Sequence, residues 1–174
     1  MNRAVAARHA RTDDFKAAFR THAGGVALVT ADNGTDRAAL TATSVSSVSV
    51  DPNLLLFSVS AAASAAPVLL TATSVVVHLL DADDLALARL GSTSGVDRFA
   101  DTSLWSRLPT GEPFFPGVRT RICGTVVERL SLGTSTVVVV EATQVVLPDD
   151  GRTLPPLVHH DRTWHRLDEG SRIR

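Results

Sequence analysis

Serine and threonine crowd one stretch of this chain. Thr41, Thr43, Ser44, Ser46, Ser47 and Ser49 fall within nine residues, interrupted only by Ala42, Val45 and Val48. Hydroxyls and backbone N–H groups with so little side-chain bulk suit a flat polar ligand lying against the chain. Two other residues have anion chemistry. Ser64 precedes Pro67 at a spacing that predicts a helix over 64–72 with Ser64 as its cap, and so a helix end facing a negative group. Arg98 stands in an irregular segment and offers a guanidinium fork. Together these residues are consistent with a site for a phosphorylated planar ligand. The residues alone are equally those of a Ser/Thr-rich connection between two strands.

Other chemistries find less support. No G-x-G-x-x-G or P-loop follows a strand, and no G-x-S-x-G elbow is present. His159, His160, Asp161 and His165 cluster, but at no zinc spacing. The carboxylate pairs Asp83-Asp84 and Asp149-Asp150 read as a helix cap and a turn. Cys123 is the single cysteine, in a strand pattern, and reads as a small buried residue; it excludes an intrachain disulfide and fits a reducing compartment. Net charge is −1, with charged residues at 20% and no basic field for nucleic acid. No uncharged apolar run is long enough to span a bilayer, so a soluble, cytoplasmic protein is expected.

The elements that must position these groups are mostly strands. At 174 residues and 44% hydrophobic, one core-forming domain is expected over 13–168, with an arm at 1–12 and a tail at 169–174. A helix capped at Thr12 or Asp13 runs to about His22, with Phe15 and Phe19 on one face. Strands follow at 26–31 and 37–43, joined through Asn33-Gly34, then one over 53–60 after Asp51-Pro52. Another strand spans 74–80, and a helix capped by Asp83 or Asp84 reaches Leu90. Residues 91–119 are broken by Gly and Pro, with Phe99, Leu104 and Trp105 as anchors. Two long strands, 119–130 and 136–146, flank Gly133-Thr134-Ser135, and a last short strand covers 154–159, with Trp164 as a final anchor. This pattern predicts a mainly β fold (β+α): an antiparallel barrel, closed or nearly so, with a few peripheral helices.

The order of motifs resembles the flavin reductase-like family. Phe19-Arg20 and Gly25-Val26-Ala27-Leu28-Val29-Thr30 precede a T-x-x-S-x-x-S-x-S-x-D-P run, met by Thr41, Ser44, Ser47, Ser49, Asp51 and Pro52. Ser64-Ala65-Ala66 stands at the family's S-x-T, Arg98-Phe99 at its Lys/Arg-Phe, and residues 156–167 at its C-terminal P-L-V-Y-x-x-R-x-Y/W-x-x-L. The resemblance implies an FMN-binding split barrel, an antiparallel Greek-key barrel. It implies a homodimeric NAD(P)H:flavin oxidoreductase that binds FMN (or FAD), uses NADH or NADPH as co-substrate, and serves a partner monooxygenase. Thr41, Ala42, Thr43, Ser44 and their backbone would face the isoalloxazine. Ser47 and Ser49 would lie along the ribityl chain or brace the loop, with Asp51 also among the cofactor-binding residues. Ser64 and Arg98 would hold the phosphate, and Trp164 would sit near the ring or the dimer seam. The family's Gly-Asp-His turn is Gly133-Thr134-Ser135 here, its second proline is Asn53, its S-x-T threonine is Ala66 and its tyrosine is His159. Those departures keep a second reading open: a flavin-binding split-barrel protein with lost or altered reductase activity.

Overall fold

The computed structural model describes residues 10–173; residues 1–9 of the expected arm and residue 174 of the expected tail lie outside them. Its centre is a seven-stranded sheet in which every neighbouring pair is antiparallel. The strands are β2 (Ala27–Asp32), β3 (Arg37–Ala42), β4 (Ser46–Val50), β5 (Asn53–Ser60), β6 (Ser74–Leu79), β9 (Thr120–Leu132) and β10 (Ser135–Val146). Their order is β3-β2-β6-β9-β10-β5-β4. A three-stranded sheet joins β1 (Gly24–Gly25), β11 (Leu157–His160) and β12 (Thr163–Arg166), and β7 (Ser106–Arg107) pairs with β8 (Pro113–Phe114).

The turn chemistry explains the local pairings. Asp32 and Asn33 side chains accept from Gly34, Thr35 and Asp36 N–H groups, and Gly34 takes φ 89°, which closes the β2–β3 hairpin. Gly133, at φ 61°, makes the β9–β10 turn tighter than the five-residue connection expected, so both strands run further toward it. On β5 the side chains alternate, with Leu55, Phe57 and Val59 buried.

The sheet curls until its two ends meet. The Ser58 N–H on β5 donates to Ser44 Oγ at 3.0 Å, just after β3 ends, so the β3–β4 link ties the two ends together. Inside lies one cluster fed by β2, β3, β5, β6 and β10, with Val29, Phe57, Val59, Val75, Val77 and Val138 fully buried. Helix α2 (Ala66–Leu69) sets Val68 and Leu69 into the same cluster. The architecture is the expected split barrel.

A second cluster covers the outside of β2 and β6. Helix α3 (Leu85–Ser92) and the segment 93–118 bring Ala88, Phe99, Phe115 and Val118 onto Val26, Leu28 and Leu80. Phe99 and Trp105 anchor this segment, their rings 5.1 Å apart, whereas Leu104 is exposed and anchors nothing. Cys123 is buried in β9. Among the described residues no helix is long and apolar enough to cross a membrane.

Four element predictions need correction. Ser64 does not cap α2: the helix begins at Ala66, with Ala65 before it and no side-chain cap. Backbone bonds from Ala63 N to Ser60 O and from Ala66 N to Ala63 O satisfy that corner instead, and Ala65 and Ala66 are buried, so no helix end faces an anion. The turn before α3 is capped from Asp81, whose N–H donates to Asp84 Oδ2 at 2.9 Å, and α3 runs on to Ser92. The C-terminal tail contains a further turn at Glu169–Ser171, capped by Asp168. Helix α1 (Thr12–Arg20) has its Phe15–Phe19 pair, 4.8 Å apart, but none of its residues is buried and Arg11 precedes it without a side-chain cap.

Candidate active site

A cleft of about 680 Å³ opens where the sheet ends meet. Its floor comes from Thr43 and Ser44 after β3 and Ser58 of β5; its sides come from Gly24, His159 and Arg162, and from Lys16, Phe19, Arg20 and His22 at α1. The floor is small for a physical reason. A Cβ on Gly24 would stand 3.1 Å from Thr43 Cβ, so the chains approach too closely there for a larger residue to enter without a shift. The β11–β12 turn carries Arg162, and the Asp161 N–H of that turn donates to Arg20 O at the end of α1 (2.9 Å). That bond ties α1 to the rim.

A second hollow of about 280 Å³ lies at the other end of β3, where Arg98 meets Ser64. Arg98 Nη2 donates to Ser64 Oγ at 3.3 Å and to Thr93 O at 2.9 Å, while Nε donates to Gly91 O at 3.3 Å. The guanidinium therefore caps the last turn of α3 and tethers the 61–65 loop, leaving its Nη1 amine without a hydrogen bond among the described residues. Arg37, Asp36 and Asp97 also line the hollow. The Gly133-Thr134-Ser135 turn adjoins this loop, since Thr134 O accepts from Ala61 N–H at 2.9 Å. No ionisable side chain is present in that turn.

The structure thus divides the residues singled out from sequence. Thr43 and Ser44 share the large cleft, and Ser64 and Arg98 share the hollow. Thr41 turns outward and donates to Ala88 O of α3 at 2.8 Å, and Ala42 turns into the barrel core. Ser47 is exposed on β4; Ser49 Oγ accepts from Asp51 N–H at 3.2 Å and braces the β4–β5 turn. Trp164 packs on the second core cluster with its ring 4.9 Å from His159. Lys16, His22, Gly24, Ser58 and Arg162 line the cleft without having been singled out as site residues. Among the described residues no cluster of His, Cys, Asp and Glu is arranged for a metal.

A small-residue floor beside cationic sides is a place for a flat, negatively charged ligand, and known proteins share this frame. The model of the flavin reductase like domain matches residues 19–168. The chain belongs to the flavin reductase-like family. It is 38% identical to an NADH:FMN oxidoreductase of Rhodococcus qingshengii over 154 residues, covering 88% of this chain and 80% of that protein. The crystal structure of a flavin reductase domain protein from Arthrobacter sp. FB24 superposes with a TM-score of 0.84 at 30% identity, covering 91% of this chain and 96% of that one. BorF, the flavin reductase component of a bacterial two-component tryptophan halogenase, superposes at 0.79 with 27% identity, covering 91% and 99%. In this member of the flavin reductase-like family the cleft offers hydroxyls and small residues, and the Ser64–Arg98 hollow offers a guanidinium with one amine uncommitted among the described residues.

Proposed function

We propose that the chain is an NADH-dependent flavin reductase that supplies reduced FMN or FAD to a partner monooxygenase. The observation that carries this is the hydroxyl-floored, cation-sided cleft in a chain of this family. Flavin and nicotinamide bring the redox chemistry themselves, hydride passing from nicotinamide to flavin, so the protein has to bind and align rather than donate protons. That agrees with a site whose floor is Thr43, Ser44 and Ser58 rather than an acid–base pair. Ser64 and Arg98 hold the flavin phosphate. The backbone at 41–44, with Thr43 and Ser44, faces the ring; Ser47, Ser49 and Asp51 keep the adjoining edge in place; Trp164 backs His159.

The test is NADH oxidation by the purified protein with FMN and with riboflavin, which lacks the phosphate. Turnover with both, and a KM for FMN that rises about tenfold in Arg98→Ala while that for riboflavin stays, is expected. A folded protein that turns yellow with FMN yet never oxidises NADH would point to the altered-activity reading, which the histidine-free Gly133-Thr134-Ser135 turn motivates.

The assembly we propose is a homodimer. Strand β4 is a free edge of the seven-stranded sheet with Val50 87% exposed, and Leu130 and Leu132 stand out from the β9–β10 arm. Surfaces of that kind are covered in stable proteins. Sedimentation at micromolar concentration is expected to give twice the 18.4 kDa chain mass, and a persistent single-chain mass would refute the dimer. We place the enzyme in the cytoplasm, as the lone buried Cys123 suits a reducing compartment, which cell fractionation checks.

A further inference from the structure

Arg98 stands in a segment with little regular structure, yet its guanidinium is aimed at the 61–65 loop and the end of α3 at once. What fixes its direction is the residue after it. Asp97, Arg98 and Phe99 form a tight turn, in which Asp97 Oδ1 accepts from Phe99 N–H at 2.9 Å. The Phe99 carbonyl accepts from Trp105 Nε1–H, also at 2.9 Å. Both backbone polar groups of Phe99 are thus held by side chains, one from the turn itself and one from further along the segment. Phe99 is buried, with its ring stacked on Phe115 at 5.9 Å.

The indole is itself held. Arg37, the first residue of β3, lays its guanidinium 4.7 Å from the Trp105 ring centre and 5.3 Å from that of Phe99. It makes no salt bridge among the described residues, so the two rings are its partners. Trp105 is half-buried and lines neither the cleft nor the Ser64–Arg98 hollow. An indole N–H can only donate, and this one is spent on the carbonyl of the residue next to Arg98. A chain of contacts therefore runs from the sheet, through Arg37 and Trp105, to the turn that carries Arg98.

We infer that Trp105 is a positioning residue for phosphate recognition: it holds the 97–99 turn so that the Arg98 guanidinium faces the phosphate of the flavin. The acceptors Gly91 O, Thr93 O and Ser64 Oγ, at 2.9–3.3 Å, fix that guanidinium while the Arg98 backbone stays in place. With the Phe99 carbonyl released, the turn drifts, and a phosphate has to order the long side chain before it can use it. Trp105 thus acts through Arg98 alone. The inference rests on the flavin-phosphate reading of Arg98 proposed above.

The experiment is a double-mutant cycle on the full chain, with the wild type, Trp105→Phe, Arg98→Ala and the two combined. Phenylalanine keeps a ring beneath Arg37 and removes the N–H donor. Calorimetric titration with FMN and with riboflavin, which lacks the phosphate, reads binding apart from turnover, since no NADH is present. Trp105→Phe is expected to weaken FMN about fivefold and to leave riboflavin unchanged, which also shows that the variant is folded. Arg98→Ala is expected to weaken FMN about tenfold, and adding Trp105→Phe to it to cost nothing more. Equal weakening of both flavins would make Trp105 a general support of the fold and overturn the inference. So would an unchanged FMN affinity in Trp105→Phe, or an equal loss when it is added to Arg98→Ala. Full FMN affinity in Arg98→Ala, or a wild type that binds no flavin, would instead overturn the flavin-phosphate reading, and the inference with it.

Discussion

His78→Leu is expected to lower stability by about 3 kcal/mol at pH 7 and to remove a loss of stability that the wild type undergoes on acidification. His78 lies on β6 between the barrel and the 93–118 segment and is 0% exposed. Its Nε2 accepts from Phe115 N–H at 3.1 Å, and a backbone N–H can only donate, so Nε2 carries no proton. The proton is then on Nδ1, which donates to Leu28 O at 2.9 Å. The neutral ring bolts the long segment to β2, and leucine would leave the Phe115 N–H buried without its partner and remove one of the donors to Leu28 O. Such an orphan costs roughly 1–3 kcal/mol.

The same geometry sets the pH dependence. Burial, with Arg121 nearby, lowers the His78 pKa from 6.5 to about 4. Between those values the unfolded chain binds a proton that the folded chain does not. Stability from this group is therefore complete above about pH 6.5 and is lost as pH falls toward 4, by about 3 kcal/mol in all. Urea unfolding of the wild type and His78→Leu at pH 7 and pH 4.5 is expected to give curves that differ widely at the first and converge at the second. Parallel pH dependences in the two proteins would place the acid sensitivity in another group. Because the segment that His78 fastens also carries Arg98, the variant is expected to raise KM for FMN in parallel.

His78 illustrates where the sequence is legible and where it is not. As a histidine within Ser74–Leu80 it reads as an ordinary strand residue, and the alternation that places the strand says nothing of a loop 37 residues further on. What the sequence does display is local. Asn33-Gly34 marks the β2–β3 turn, and Asp51-Pro52 precedes a strand whose alternating Leu55, Phe57 and Val59 point to a core. The family pattern adds one long-range relation, pairing Ser64 with Arg98 across 34 residues, and the two meet at 3.3 Å. The helix cap argued for Ser64 fails because backbone carbonyls reach the same N–H groups first. Strand β12 goes unseen, since Thr163–Arg166 is short, polar and without period. The cationic side of the cleft is invisible for a different reason. Its members come from α1, from β11 and from a turn whose left-handed φ values no side-chain type announces at Asp161-Arg162.

Gly91→Ala is expected to destabilise the fold by about 3 kcal/mol and to disturb the cleft floor, although alanine is the better helix former. Gly91 sits in the last turn of α3 where the helix crosses β3. A Cβ there would stand 2.3 Å from Thr41 Oγ1 and 2.4 Å from Leu28 Cδ1. Neither neighbour has room to move. Leu28 is buried in the second core cluster, and Thr41 is branched at Cβ and holds its bond to Ala88 O. The gain of roughly 1 kcal/mol from helix propensity is smaller than the cost of overpacking a filled core, so the net sign is unfavourable. The structural answer is for α3 to lift from β3. That would pull the Gly91 carbonyl from Arg98 Nε and loosen the strand that ends at Thr43. A melting temperature lowered by several degrees, with KM raised for both FMN and NADH, is the expected result. A variant as stable and as active as the wild type would mean that α3 is not held as closely to β3 as the Thr41 and Leu28 contacts require.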